Sequence, residues 1–325
     1  MKSLRLLVIL ACCGTGIAVT AVDALGQAYP AKPIRFIVPF VPGGSSDFFA
    51  RIIAPELSES LGQQVVIDNR GGAGGTIGTE LASRAAPDGY TLLLGTANTA
   101  MNVSLYSKWT VDPVRDFRAV ALLGSAPNIL AVHPSLPVKT VKDLIALAKA
   151  RPGQINYASG GSGSTSHLAT ELFKALAKVE LLHVPYKGTG PAIVAVLSGE
   201  ASVVVPPASV VLPHMKTGRL RGLAIASAAR FEAAPDLPTV AESGVPGYEA
   251  SQWYGVLVPK GTPDELVSRL NRELVRIVRT TEFKARLVKD ATMAIGSTPQ
   301  EFAAYLKDEI TKWMKVVRFS GARVE

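Results

Sequence analysis

The sequence predicts an α/β protein built as two lobes with a hinge and a central ligand cleft. Two observations lead there. Apolar strand-like runs alternate with helix-period stretches in two successive series, and each series carries a glycine-rich turn between a strand and a helix. The first turn is Phe40-Val41-Pro42-Gly43-Gly44-Ser45-Ser46-Asp47; the second is Ser159-Gly160-Gly161-Ser162-Gly163-Ser164-Thr165-Ser166. Glycine lets backbone approach a ligand closely, and the free N–H groups at the start of the following helix attract an anion. Taken singly, each turn is also compatible with an ordinary capped strand-to-helix junction. Together they point to a small anion held from two sides.

In chain order, Ile34–Val38 reads as a strand, followed by a helix whose Phe48, Phe49, Ile52, Ile53, Leu57 and Leu61 are expected to share one stripe. Gln64–Asn69 is a second strand, and the run Arg70-Gly71-Gly72-Ala73-Gly74-Gly75 opens a short helix over 76–86. Tyr90–Gly95 is a third strand, ending at Thr96-Ala97-Asn98-Thr99. This spacing predicts a mostly parallel sheet, whose loops gather at the carboxyl ends of its strands. Strands around 119–123 and 129–133 lead into the second series. There helix 140–150 precedes the strand before the second turn, and the helix after it carries Leu168, Leu172, Phe173 and Leu176. Strand 181–184, helix 191–197, strand 202–205, helix 210–217 and strand 220–226 follow, and 228–249 reads as a connection without a period. Trp253–Val258 is a returning strand. Thr262-Pro263-Asp264-Glu265 and Thr298-Pro299-Gln300-Glu301 each read as a capping box with proline at the first helical position. The expected division is 1–28 as a signal peptide, 29–127 with 251–325 as lobe 1, and 128–250 as lobe 2.

The first 28 residues have the layout of a secretory signal: Lys2 and Arg5, an apolar run to Val22, then small residues Ala24, Gly26 and Ala28. No later stretch is long and apolar enough to cross a bilayer, so the remainder is expected to be soluble and exported, and it is read as a monomer. Both cysteines, Cys12 and Cys13, lie within that leader, which leaves the mature chain without disulfides or thiolate metal sites. The net charge of +8 is spread along helices without blocks of like charge, and aromatic residues are only 6%. That pattern excludes nucleic acid as the expected partner and leaves a mild bias toward anions.

Enzyme signatures fail on inspection. The glycine run from Gly72 has Ile77 where a dinucleotide fingerprint needs glycine, no Gly-Lys-Ser/Thr occurs, and Gly160-Gly161-Ser162-Gly163-Ser164 ends wrongly for a nucleophile elbow. His133, His167, His183 and His214 show no metal-ligand spacing. Among them His167 falls in the first turn of the second-lobe helix, where it is either a ligand contact or a locally packed residue. No catalytic residue, metal or cofactor is expected. The rival class is an extracytoplasmic enzyme acting on a carboxylic acid through His167 and a nearby hydroxyl.

The run Tyr29-Pro-Ala-Lys-Pro-Ile-Arg-Phe-Ile-Val-Pro-Phe-Val-Pro-Gly-Gly-Ser-Ser-Asp47 resembles the mature start of the Bug family, the periplasmic substrate receptors of tripartite tricarboxylate transporters. The likeness continues through Asn69–Gly75, Ala86–Leu93, Ser159–His167, Val184–Gly188, Leu212–His214, Trp253–Gly255 and Pro259–Pro263. It implies a type II periplasmic-binding-protein fold that closes on a small carboxylate and meets a membrane permease, or a sensor protein. Carried across, it points to Phe40, Pro42, Gly43, Gly44, Ser45, Asp47 and Asn69 in the first lobe, with Thr96 and Asn98 at the floor. In the second lobe it points to Ser162, Ser164, Thr165, Ser166 and His167, with Tyr186, Lys187 and Pro206 beyond them. One departure stands out. Where the resemblance leads one to expect an acid before Leu212-Pro213-His214, this chain reads Val203-Val204-Val205-Pro206-Pro207-Ala208-Ser209. An ammonium-bearing ligand would lose its counter-charge there, so an organic or aromatic acid without an amine is expected over acidic amino acids.

Overall fold

The computed structural model describes residues 29–289 and 291–324, so the leader expectation and both cysteines lie outside the described residues. Strand β1 (Ile34–Val38) passes through the first glycine turn into α1 (Ser45–Leu61). Strand β2 (Val65–Asn69) leads through a 3-10 turn at Ala73–Gly75 into α2 (Thr76–Ser83), and β3 (Thr91–Thr96) runs straight into α3 (Ala97–Leu105). A short α4 (Pro113–Asp116) precedes β4 (Phe117–Ala126). The second series is β5 (Ile129–Val132), α5 (Val141–Ala150), β6 (Asn156–Ser159), α6 (Thr165–Ala177), β7 (Leu182–Pro185) and α7 (Thr189–Leu197). It ends with β8 (Val203–Val204), α8 (Ala208–Lys216) and β9 (Arg221–Ile225). The chain then returns as β10 (Gln252–Pro259), α9 (Asp264–Arg279), α10 (Thr281–Lys289), β11 (Met293–Ala294) and α11 (Pro299–Ser320).

These strands make two sheets, ordered β11-β4-β10-β3-β1-β2 and β7-β6-β8-β5-β9. Strand β1 is parallel to β2 and β3, and β6 is parallel to β7 and β8. The sheets are nevertheless mixed, a correction to the mostly parallel expectation. Strand β10 enters from the other sheet and lies antiparallel between β3 and β4, and β5 is antiparallel to β8 and β9. Alternation of strand and helix cannot reveal a strand that arrives from far along the chain.

The chain crosses between sheets at Pro127-Asn128 and again at Ala250-Ser251. The two crossings are tied together, since the Asn128 side-chain amide donates to the Ala250 carbonyl at 2.8 Å. The Ala226 N–H donates to the Asn128 carbonyl, and the Ala250 N–H to the Ala226 carbonyl. Behind them α11 packs on α3 and β4 on one side and on α6 on the other. Its buried Glu309 accepts the indole N–H of both Trp253 and Trp313 at 2.9 Å and pairs with Lys312. Lys312 in turn donates to the Glu249 carbonyl at 3.0 Å, just ahead of the second crossing.

Of the two expected capping boxes, only the one at Thr298 and Glu301 forms. The Thr262 hydroxyl instead turns back to the Pro259 carbonyl at 2.8 Å and is buried, which leaves Pro263 at the cap of α9. Helices α3, α4 and α10 and strand β11 are additions to the sequence reading; the Ala-, Asn- and Thr-rich start of α3 carries little apolar period.

Glu309→Ala would leave two buried indole donors and an ammonium without their shared acceptor. The expected loss is about 3–5 kcal/mol of unfolding free energy in urea titration. Glu309→Gln, which keeps one acceptor oxygen, should lose less.

Candidate functional site

The first glycine turn is exposed from Val41 to Ser45, and its shape is fixed from below by one carboxylate. Asp47 is 3% exposed; its Oδ2 accepts the Gly43 N–H at 2.9 Å and Arg51 Nε at 2.7 Å. Its Oδ1 accepts Asn69 Nδ2 at 3.0 Å, and that same amide donates to the Phe40 carbonyl at 3.0 Å. Asp47 thus serves the helix start from inside the first turn: the N-cap position is Gly44, which has no side-chain cap. The hydrogen bond from the Arg51 guanidinium holds the Asp47 carboxyl below the usual carboxylate range. With its charge committed, the N–H groups of Ser45 and Ser46 have no protein acceptor among the described residues. Phe40 is half-buried, and Pro42 is exposed beside Gly43.

Helix α3 connects this turn with the second one. Gly78 lets α2 lie directly on the first turn's base, since a Cβ there would fall 2.8 Å from Pro39 Cα. Asn102 of α3 donates to the Gly74 carbonyl at 2.9 Å in the glycine run. At the far end of α3 the Leu105 carbonyl accepts the Val324 N–H at 3.0 Å. There Gly163 of the second turn comes so close that a Cβ would stand 2.9 Å from Val324 Cγ2 and 3.4 Å from a Leu105 methyl. Thr96 precedes α3 with its N–H on the Thr99 hydroxyl at 3.1 Å, and its own hydroxyl is buried. Asn98, half-buried, sits in the helix's first turn.

The second turn is held by side chains that the sequence reading named, Ser164, Ser166 and His167, together with two it did not single out, Ser159 and His183. Gly160 N–H donates to Ser166 Oγ at 3.0 Å, Gly161 N–H to Ser159 Oγ at 3.1 Å, and Gly163 N–H to His167 Nδ1 at 3.1 Å. Ser164 is the N-cap of α6, its Oγ accepting the His167 backbone N–H at 3.2 Å. Beneath the turn His167 stacks on His183 with ring centroids 4.1 Å apart, and His183 stacks on Tyr157 at 4.8 Å. His183 Nε2 lies 2.6 Å from Ser159 Oγ. Burial, reinforced by the neighbouring His183, lowers the His167 pKa from 6.5 to about 4. The nearest carboxylate, Glu171, takes the Tyr157 hydroxyl at 2.6 Å and the Lys174 ammonium at 2.8 Å. His167 Nδ1 is therefore occupied by backbone, not poised as a base toward Ser164. The hydroxyls and N–H groups of Ser162 and Thr165 have no protein partner among the described residues.

Tyr186 and Lys187 are brought against this turn by two backbone bonds, Tyr186 N–H to the Ser159 carbonyl at 3.0 Å and Gly188 N–H to the Gly160 carbonyl at 3.2 Å. The Tyr186 hydroxyl donates to Glu200 at 2.8 Å, and Lys187 is exposed. Pro206 follows β8 and is buried, its carbonyl accepting the Ile129 N–H at 2.9 Å. It carries no charge. Among the described residues no cluster of His, Asp and Glu is placed to hold a metal ion. A cavity of about 480 Å³ lined by Thr76, Glu80, Tyr106, Lys108, Trp109 and Val324 includes none of the expected site residues. Tyr157 and Ser159 could have been grouped by period, since they share one face of β6, whereas His183 joins them only through strand pairing, in register with Tyr157.

Comparison with known proteins adds the family. Residues 49–321 match the tripartite tricarboxylate transporter family receptor, TctC. The chain is 39% identical to Protein BugT of Bordetella pertussis over the full length of both. A protein of R. palustris solved with adipate is 37% identical, covering 91% of this chain and 100% of that one, with a TM-score of 0.76. MatC from Rhodopseudomonas palustris with bound malate is 32% identical, covering 89% and 100%, with a TM-score of 0.72.

Asp47→Asn should loosen the first turn, because a charged acceptor of three hydrogen bonds becomes a neutral one; the expected loss is about 1–3 kcal/mol. Since the folded carboxyl titrates below its ordinary value of 3.8, the stability it contributes is full above that value and is lost as pH falls through the folded one. Thermal melts across the acid range should therefore show a limb that the Asn variant lacks.

Proposed function

This chain belongs to the tripartite tricarboxylate transporter receptor family, and from that premise we propose that it captures a small amine-free carboxylate in the periplasm and delivers it to the membrane permease of such a transporter. The carrying observation is the unequal supply of charge at the two turns. Unpaired N–H and hydroxyl donors at the starts of α1 and α6 suit the oxygens of a carboxylate. The carboxylates nearest those donors, Asp47 and Glu171, are engaged by Arg51 and by Tyr157 with Lys174. Pro206 brings no acid of its own. An ammonium group would enter this site without a partner, whereas a second carboxylate would find Lys187, a cation in no ion pair among the described residues. The adipate and malate carried by the two R. palustris relatives are acids of this kind. Export by residues 1–28 and lobe closure over the ligand complete the reading, with 29–127 and 251–325 moving against 128–250.

Native mass spectrometry followed by a thermal-shift panel tests it. Adipate, malate or an aromatic acid should raise the melting temperature and leave the protein unchanged on release, while aspartate and glutamate should not. Tight binding of aspartate with indifference to amine-free acids would refute the ligand class, and conversion of a bound acid would favour an enzyme. Thr165→Val and Lys187→Gln should each weaken the stabilising acid by about tenfold in calorimetry, the scale of one hydrogen bond to a charged group.

A further inference from the structure

We propose that His183, outside the contact set, is a positioning residue for the second glycine turn, and that it acts with His167 to make carboxylate capture sensitive to acid. This rests on the reading of the second turn as a carboxylate site. The geometry fixes the role of the His167 ring. His167 Nδ1 accepts the Gly163 N–H, so its proton resides on Nε2. His183 Nε2 meets Ser159 Oγ at 2.6 Å, while that hydroxyl oxygen accepts the Gly161 N–H. Each imidazole thus fixes one glycine of the turn, His167 directly and His183 through Ser159. Their stacking at 4.1 Å couples the two.

Those two glycines point their N–H groups inward, onto side chains, and this sets the direction of the remaining donors at Ser162 and Thr165. Gly163 can take part because it lacks a side chain where Val324 and Leu105 press on it, and its φ of +78° lies in the left-handed region. A proton on His167 Nδ1 would replace an acceptor with a donor opposite another donor, and the Gly163 N–H would have to turn away. The pair is buried among few charges: Glu171 and Lys174 from α6, already paired, and the Tyr157 phenol from β6, pushed up by burial. His167 is lowered to about 4 by burial, with His183 next, and His183 is lowered by burial as well. Between the folded value and 6.5 an unfolded histidine binds the proton first, so the formed turn loses stability as pH falls across that interval.

Two substitutions preserve the geometry without the titration. In His167→Asn the Oδ1 atom can accept the Gly163 N–H, and in His183→Gln the side-chain amide can still reach Ser159. The experiment follows the Gly161 and Gly163 amides and both imidazoles by NMR through an acid titration of the full protein, with calorimetric titration of malate and of adipate at each pH. The acids themselves gain protons in the same range, so the comparison is made between variants.

In the wild type the Gly163 amide should move with the His167 titration, well below that of an exposed histidine. His167→Asn should abolish that movement and, near pH about 3.3, where a wild-type His167 of pKa about 4 is mostly protonated, bind the acid about fivefold more tightly than the wild type. His183→Leu should weaken binding at neutral pH and shift the Gly161 amide, and His183→Gln should restore both. A Gly163 amide indifferent to His167, or a His183→Leu protein that binds and titrates like the wild type, overturns the proposal. Should neither malate nor adipate bind, the receptor reading fails for those acids, while the amide titration still decides the positioning role.

Discussion

A helix that follows a parallel strand must begin at the carboxyl edge of the sheet, and it begins with N–H groups that its own backbone cannot satisfy. In this chain α1, α2 and α3 do so on one sheet and α6, α7 and α8 on the other. The connectivity therefore collects unsatisfied donors in two places before any side chain is chosen. Side chains then decide which donors are consumed within the protein and which remain for a ligand. The remaining architecture, from the antiparallel entry of β10 to the long span of α11, keeps those two edges in one molecule.

The two edges solve the same problem with opposite chemistry. In the first turn a buried carboxylate gathers Gly43, Asn69 and Arg51, so the shape is held by a charge that the protein itself neutralises. In the second, neutral rings and hydroxyls do the gathering, through His167, His183, Ser159 and Ser166. A full negative charge under both turns would repel an anion arriving between them. Placing one carboxylate under a guanidinium, and pairing the other, Glu171, with Lys174 and the Tyr157 hydroxyl, keeps the region between the turns favourable to negative charge.

Much of this was legible before the structure. The strands and helices that carry strong periods, such as Ile34–Val38 and the stripe Phe49, Ile53, Leu57, appear close to where the sequence places them. The two turns announce themselves because glycine clusters are hard to explain otherwise. Helix α3 was not legible: Thr96 through Asn102 is small and polar, and it is helical because it is wedged between the glycine run and α11. Thr262 misled for a related reason. Its local pattern is a capping box, yet the buried hydroxyl has a nearer acceptor in Pro259. The supports of the second turn were hidden because Ser159 and His183 lie on different strands, and only strand pairing puts them side by side.

The contact of Val324 with Gly163 places the end of the chain, which pairs with α3 of the first sheet, against a turn that belongs to the second. The polypeptide terminus is thereby a natural gauge of how the two halves sit. A chain beginning at Tyr29 contains no thiol, so one cysteine introduced at Ala322 or Arg323 would be a unique attachment point for an environment-sensitive dye. If the halves shift on ligand capture as proposed, such a dye would change brightness with it, and the molecule would become the scaffold of a reagentless optical sensor.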